Sequence, residues 1–416
     1  MLIAFAAMLT LIPAHSASAD ETGEEYDNAF VGNVKYNSEP LADVRIEVSG
    51  NGYTAEVVTD ADGKWKIGVP EKDKYTVTLD ETTLPEGVAV TEGGATIEAE
   101  FGLTGTKAVN FFIGRGERHI VSIGDQLVER IVNGINFGLM LALASIGASL
   151  VFGTTGLSNF AHGEMVTFGG VMALVFGVFL KFPFFLAIPI AVILGGVLGL
   201  ALDAGIWRPL RRRGMGLTQL LIVSIGLSLA LRYVIQYFIG GNIYQLPGSS
   251  DLKIPLFGSV ALTVTDMVSM AVSILVILAV AFFLTRTRIG KATRAVSDNA
   301  SLAAASGIDV DRVVRIAWII SGALAALSGV LWAYFIPGVK WDLGAQILLL
   351  VFASITLGGL GTAFGALVGS LIVGFLVEVS TLVIPSDLKY LPALLVLIIV
   401  LLFRPQGILG RRARIG

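Results

Sequence analysis

The 416-residue chain contains no cysteine, which excludes disulfide bonds, thiol catalysis and cysteine-ligated metal. Histidine is almost as scarce: His15, His119 and His162 are too few for a histidine-cluster metal site. No Gly-x-x-x-x-Gly-Lys-Ser/Thr run occurs, so the chain has no Walker A loop and no ATPase site of that kind. Charge is sparse too. Charged residues make up 15% of the chain against 54% hydrophobic, with a mean hydropathy of +0.78. That balance excludes an ordinary water-soluble protein and indicates a polytopic membrane protein. The net charge of −3 averages two unlike parts and carries no argument for a nucleic-acid partner.

What is present divides near residue 120. Residues 1–19 hold an apolar run closed by Pro13, and Ala17-Ser18-Ala19 supplies a small-x-small pattern before Asp20; together they predict a secretory signal. Residues 20–118 are polar and strand-like. Val44, Ile46 and Val48 alternate, as do Tyr53, Ala55 and Val57, then Trp65, Ile67 and Val69, then Tyr75, Val77 and Leu79. Such period-2 runs predict half-buried antiparallel strands. The stretches 95–101 and 107–113 bring the set to about seven strands, a small β-sandwich. Asp60 to Gly63 reads as a hairpin turn; as a calcium loop its Asp60 and Asp62 lack a full ligand set. Pro40 to Val44, Thr59 to Ile67 and Lys74 to Leu79 resemble the carboxypeptidase-regulatory-like, prealbumin-like domains, a resemblance that implies an extracytoplasmic all-β module.

Nine apolar segments follow, at about 134–153, 164–180, 184–204, 217–239, 266–284, 313–335, 346–360, 364–384 and 390–403. With the sandwich outside, the first span runs inward. Arg208, Arg211, Arg212 and Arg213, the basic loop after Thr285, and the tail with Arg404, Arg411, Arg412 and Arg414 then all fall in the cytoplasm. The Gly-rich run Leu357 to Thr362 predicts a broken helix or re-entrant pair, so eight crossings plus a re-entrant piece fit nearly as well as nine.

Two stretches carry the functional signal. Thr285 to Arg315 is long for a loop between membrane helices and has helical signals of its own. Arg286, Arg288, Lys291 and Arg294 place it on the cytoplasmic side, and Arg294 to Ser306 suits one helix. Gly307 fits a left-handed stop, and Asp309 fits a cap for the next helix. The second stretch is Gly156 to Glu164. Asn159, His162 and Glu164 are polar where a bilayer favours apolar residues, and Gly156 and Gly163 allow a break. Two readings stand: a discontinuous helix lining a path, or a solvated cytoplasmic turn with Glu164 capping a helix. Arg232 and Glu378 are further intramembrane charges, expected either to pair as a bridge or to line the path, with Gln236 one turn from Arg232. Asp203 and Asp342 read as interfacial.

These segments resemble the permease subunits of branched-chain amino acid ABC transporters of the high-affinity Leu/Ile/Val type. The resemblance spans 127–410. It rests on Asn159-Phe-Ala-His-Gly-Glu164, Arg294 to Ile308, Ser321 to Leu331, Leu357 to Thr362 and Phe403 to Leu409. It implies a transport subunit of the cytoplasmic membrane that is not itself an enzyme and holds no cofactor, ATP being bound by partner ATP-binding subunits. A second permease subunit, an extracytoplasmic substrate-binding protein and the bilayer are the other partners implied. The loop acts in that picture as a coupling helix, with Arg294, Asp298, Ala303, Ala304 and Gly307 at the contact. Urea or short-chain amides are alternative substrates within the family, and an ion-coupled secondary carrier is the alternative from another class. The front sandwich departs from the family's usual members.

Overall fold

The computed structural model describes residues 26, 28–36, 39–85, 88–92, 94–101, 105–115, 123–247, 253–257, 260–336, 338–385, 388–404 and 406–410. The expected signal over 1–19 lies outside them, as do His119, Arg411, Arg412 and Arg414. The chain forms two compact units, Met1–Ile120 and Val121–Gly416.

The first unit is all β. Its strands are β1 (Asn28–Asn33), β2 (Lys35–Tyr36), β3 (Glu39–Pro40), β4 (Arg45–Gly50), β5 (Tyr53–Val58), β6 (Lys64–Val69), β7 (Lys74–Leu79), β8 (Val88–Glu92), β9 (Thr96–Glu100), β10 (Thr106–Ala108) and β11 (Phe112–Arg115). One sheet has the order β5-β4-β7-β9 and another β10-β1-β6; β2 pairs with β3 and β8 with β11. Alternation drives the packing, because side chains on a strand point to opposite faces in turn. Ile46 opposes Leu79 and Val48 opposes Val77 across β4 and β7, and all four are buried. Phe30, Trp65, Ile67, Val69 and Tyr75 share the same core. Gly63 turns the β5–β6 connection at φ +72°, and the Asp60 carboxylate accepts the N–H groups of Asp62 and Lys64. A plain turn therefore uses the acidic pair. Two expectations change. The stretch 107–113 is two short strands rather than one, and β10 runs parallel to β1, so the sandwich is not wholly antiparallel.

The second unit is helical: α1 (Ile123–Thr155), α2 (His162–Leu174, continued by a π turn Val175–Phe179), α3 (Phe184–Leu202, continued by a π turn Asp203–Trp207), α4 (Arg208–Arg212), α5 (Leu217–Ile239), α6 (Val264–Arg286), α7 (Arg288–Asp298), α8 (Ala300–Ala305), α9 (Val310–Phe335), α10 (Leu343–Gly358), α11 (Ala363–Ser380) and α12 (Leu391–Phe403). A hairpin, β12 (Ile254–Phe257) with β13 (Val260–Leu262), precedes α6. Among the described residues, seven helical stretches are long and apolar enough to cross a membrane, and α10 and α12 are shorter apolar helices.

Glycines let these helices approach. A Cβ at Gly329 of α9 would run into the Val166 carbonyl of α2, and one at Gly199 of α3 into the Trp318 carbonyl of α9. Close backbone approach through small residues is the usual means of helix association in lipid. The break expected at 357–362 is present: α10 ends at Gly358, Gly359 and Gly361 have φ of +119° and +78°, and α11 starts at Ala363. The segment after α12 folds back over it, with the Ile408 and Leu409 N–H groups donating to the carbonyls of Leu357 and Gly358.

Between α6 and α9 the chain makes two surface helices where one was expected. Asn299, at φ −161° and ψ 101°, ends α7 and caps α8 by accepting the Leu302 N–H. An Asn at that position offers the backbone a local partner that competes with helix continuation. Gly307 takes φ +85°, and Asp309 caps α9 by accepting the Arg312 N–H.

Candidate functional site

α2 begins inside the bundle. Gly156, at φ +71°, turns the chain after α1, and the non-helical segment that follows climbs back along the helix it has just left. His162 Nε2 lies 2.9 Å from the Ala144 carbonyl, eleven residues before the end of α1. At 1.5 Å per residue that level is about 16 Å in from the helix end. The carbonyl can only accept, so Nε2 carries the proton and donates. The Phe160 N–H donates to Ser224 Oγ of α5 at 3.1 Å, and the Ala161 N–H to Asn159 Oδ1 at 3.1 Å. Asn159, His162 and Glu164 are all buried, so the turn is not solvated, and Glu164 lies in the first turn of a helix that starts inside the bundle.

Glu164 lies in the first turn of α2, where the exposed N–H groups of a helix start favour an anion. Its Oε1 accepts Ser228 Oγ at 3.1 Å and, from Arg232, Nε at 3.0 Å and Nη2 at 2.8 Å. The carboxylate is fully enclosed, while the Arg232 side chain keeps 24% of its surface exposed. Oε2 has no hydrogen-bond partner among the described residues. Removing either member of such a pair strands a charge in a low-dielectric interior, which is far costlier than the pair's net worth.

A second helix starts at the same level. Gly344, in the first turn of α10, donates its N–H to Thr167 Oγ1 at 2.9 Å, and its Cα packs on the Gly163 carbonyl. The sixteen-residue α10 thus runs only from the level of Glu164 to the glycine break. Two helix starts and one ion pair meet within the bundle.

The expected residues separate into three groups. Asn159 and His162 tie the break to its neighbours, and Glu164 pairs with Arg232. Glu378 does not join them. It is buried beside Gly134 and lies 3.9 Å from Arg130, ten residues along α1 from the level of His162. The expected Arg232–Glu378 bridge is therefore replaced by Arg232–Glu164, because α5 packs on α2 and carries Arg232 there. Asp203, expected at the interface, is buried and takes Arg211 Nη2 at 2.6 Å; Asp311 takes Arg208 and Arg212 at 3.1 and 2.9 Å. Asp342 precedes α10 and accepts Gln346 Nε2 at 3.1 Å. Ser224, Ser228 and Thr167 were missed. The first two had a signal: Ser224, Ser228, Arg232 and Gln236 recur every fourth residue, one polar face on an otherwise apolar helix.

On the surface loop, Arg294, Asp298, Ala304 and Gly307 are exposed. Ala303 instead packs with Val296 and Val313 on the loop's inner side, so its small size serves this bundle. Ser297 Oγ donates to the Gly361 carbonyl at 3.3 Å, and Gly361 lies against Gly153 of α1. The loop is thereby joined to the glycine break.

The family model for the branched-chain amino acid transport system / permease component matches residues 130–401, all within the helical unit. The chain belongs to that family. The high-affinity branched-chain amino acid transport system permease protein LivH of Salmonella typhimurium is 30% identical over 301 residues, covering 68% of this chain and 96% of that protein. The permease protein BraD of Pseudomonas aeruginosa, from a transport system of the same description, is 29% identical over 300 residues, with 68% and 96% covered. The ribose import permease protein RbsC of Haemophilus influenzae is 27% identical over 257 residues, with 60% and 76% covered. No solved structure matches the chain. As a member of this permease family the chain is a multi-pass membrane protein, and its β unit lies outside the matched residues.

Proposed function

We propose that the chain is the permease subunit of an ABC-type importer that moves branched-chain amino acids across the cytoplasmic membrane, driven by ATP hydrolysis in partner subunits. The observation that carries this reading is the α7–α8 surface loop. It presents Arg294, Asp298, Ala304 and Gly307 outward while Gly290, Thr293, Val296 and Ala303 are buried behind it. A motor bound to that face pulls on α1, α6 and α9 together, and its nucleotide states then bias the bundle between two conformations, as energetic coupling requires. The branched-chain descriptions of LivH and BraD support the substrate class. That no Walker A sequence occurs agrees with ATP being bound by partner chains. A second permease subunit and a substrate-binding protein complete the assembly. In this reading the basic loops and the C-terminus face the cytoplasm and the β unit lies outside.

Gly307 gives the test. No atom lies within 4 Å of where its Cβ would be, so Gly307→Arg meets no collision inside the bundle, but its φ of +85° strains any L side chain, and Ala304→Arg, exposed on α8, is made beside it as the variant without that strain. Co-purification with candidate ATP-binding subunits, followed by ATPase assay in lipid, should show a complex with the unaltered chain and loss of at least about tenfold in affinity for either variant, the scale of one disrupted interface anchor. If no ATP-binding subunit associates with the unaltered chain, the importer reading falls and an ion-coupled carrier replaces it.

A further inference from the structure

Polar contacts pin α2 to α5 only where α2 begins: the Phe160 N–H donates to Ser224, and Glu164 accepts Ser228 and Arg232. Beyond Arg232 no hydrogen bond or ion pair joins the two helices among the described residues. A cavity of ≈ 530 Å³ fills the seam there, walled by Phe168, Met172, Val175, Leu231 and Ile235. It opens sideways, because Phe179, Val234 and Phe238, which also line it, are each more than half exposed. Glu164 is the one charged lining residue, and its carboxylate is fully enclosed against Ser228 and Arg232. The cavity therefore offers no free polar side chain. A zwitterion or an amide entering it would give up hydration and gain no partner, which is costly.

We propose that this seam is a phospholipid site, holding one acyl chain against the α2–α5 wall with the headgroup phosphate on Lys181. The inference goes beyond the transport reading and does not depend on which solute is carried. Three observations select the occupant. The wall is apolar and the mouth is lateral, so in a multi-pass protein a chain enters from the bilayer without crossing water. The depth fits as well. Phe168 and Phe179 stand eleven residues apart on α2 and its π turn, about 16 Å at 1.5 Å per residue, and one leaflet supplies about half of a ~30 Å hydrocarbon core. The charge is in the right place. Lys181 is exposed two residues beyond Phe179, at φ +57° in a turn closed by the Phe182 N–H on the Phe176 carbonyl. No hydrogen bond or ion pair engages its ammonium among the described residues. A lysine at the end of a span carries its charge to the headgroup level.

The test is photo-crosslinking of the purified full-length chain in nanodiscs of phosphatidylglycerol and phosphatidylcholine. A trace of either lipid carries a diazirine at mid-chain, and peptide mass spectrometry locates the adducts. Adducts on Val175, Leu231 and Ile235 should exceed severalfold those on Ile222 and Leu229, which face outward on α5 and report bulk lipid. Val175→Trp fills the seam away from the ion pair and should bring the adducts on Leu231 and Ile235 down to the bulk level. Ile222→Trp, an enlargement on the outward face, should leave them unchanged. Where Val175→Trp does not elute as a monodisperse species, Ile235→Trp fills the seam from the opposite wall. Lys181→Glu should remove the excess of phosphatidylglycerol over phosphatidylcholine adducts. Wall adducts at the bulk level in the unaltered chain, or undiminished adducts in the filled variant, overturn the site. Displacement of the adducts by excess L-leucine also overturns it, since a solute then occupies the seam. An unchanged headgroup preference in Lys181→Glu overturns the phosphate contact. None of these outcomes bears on association with ATP-binding subunits, which tests the importer reading separately.

Discussion

The inward face of β4 is built from Ile46 and Val48, large residues opposed by Leu79 and Val77. The inward face of α3 is built from Ala187, Ala191, Gly195, Gly196 and Gly199, while Phe185, Ile193 and Val197 point away from the bundle. β4 and α3 thus sort residues by opposite criteria. In water, removing apolar area from solvent decides which side chains turn in, so size and hydrophobicity select for the interior. In lipid both faces of a helix are apolar, and close approach with polar satisfaction decides instead. α5 shows the same inversion: it buries Ser224 and Ser228 and exposes Ile222, Leu229 and Phe238.

The comparison can be broken at single positions. The largest effect is expected for Gly329→Leu, because even a Cβ there meets the Val166 backbone. Overpacking at a backbone contact costs about 3 kcal/mol or more, and the variant should not emerge as a monodisperse species after detergent extraction. In the β unit the damaging change runs the other way, from large to small. Ile46→Ala should cost about 2–5 kcal/mol, read in the full-length protein as proteolysis within 26–115 at lower urea than the unaltered chain. A matched pair of outward residues sharpens the contrast further. Ile193 on α3 and Val58 on β5 are exposed to similar degrees, 65% and 54%. Ile193→Asp should lower membrane-integrated yield, an aspartate at mid-span costing about 2.5–3.5 kcal/mol. Val58→Asp should stay within about 0.5 kcal/mol of the unaltered protein. If both aspartates prove equally tolerated, α3 does not face lipid and the comparison fails.

Much of this architecture is written locally. Alternation at 44–48, 53–57, 65–69 and 75–79 specifies strands because the strand period is two, and apolar runs of about twenty residues specify spans because a bilayer core has a set thickness. The left-handed stop at Gly307 and the cap at Asp309 are one-residue signals that the fold obeys. The break at Asn299 was equally local but hidden, since the surrounding alanines favour a continuous helix and only the Asn side chain tips the balance.

Composition and periodicity specify a polar all-β unit followed by a membrane bundle, and they mark Asn159, His162, Glu164 and Arg232 as polar groups needing partners. Which partners they find follows from how the helices pack. Arg232 answers Glu164 and not Glu378, and Ala303 faces its own bundle. Periodicity and hydropathy act within a few residues of chain. An ion pair sixty-eight residues apart depends on which helix packs on which, and here α5 meets the start of α2 through Ser224, Ser228 and Arg232.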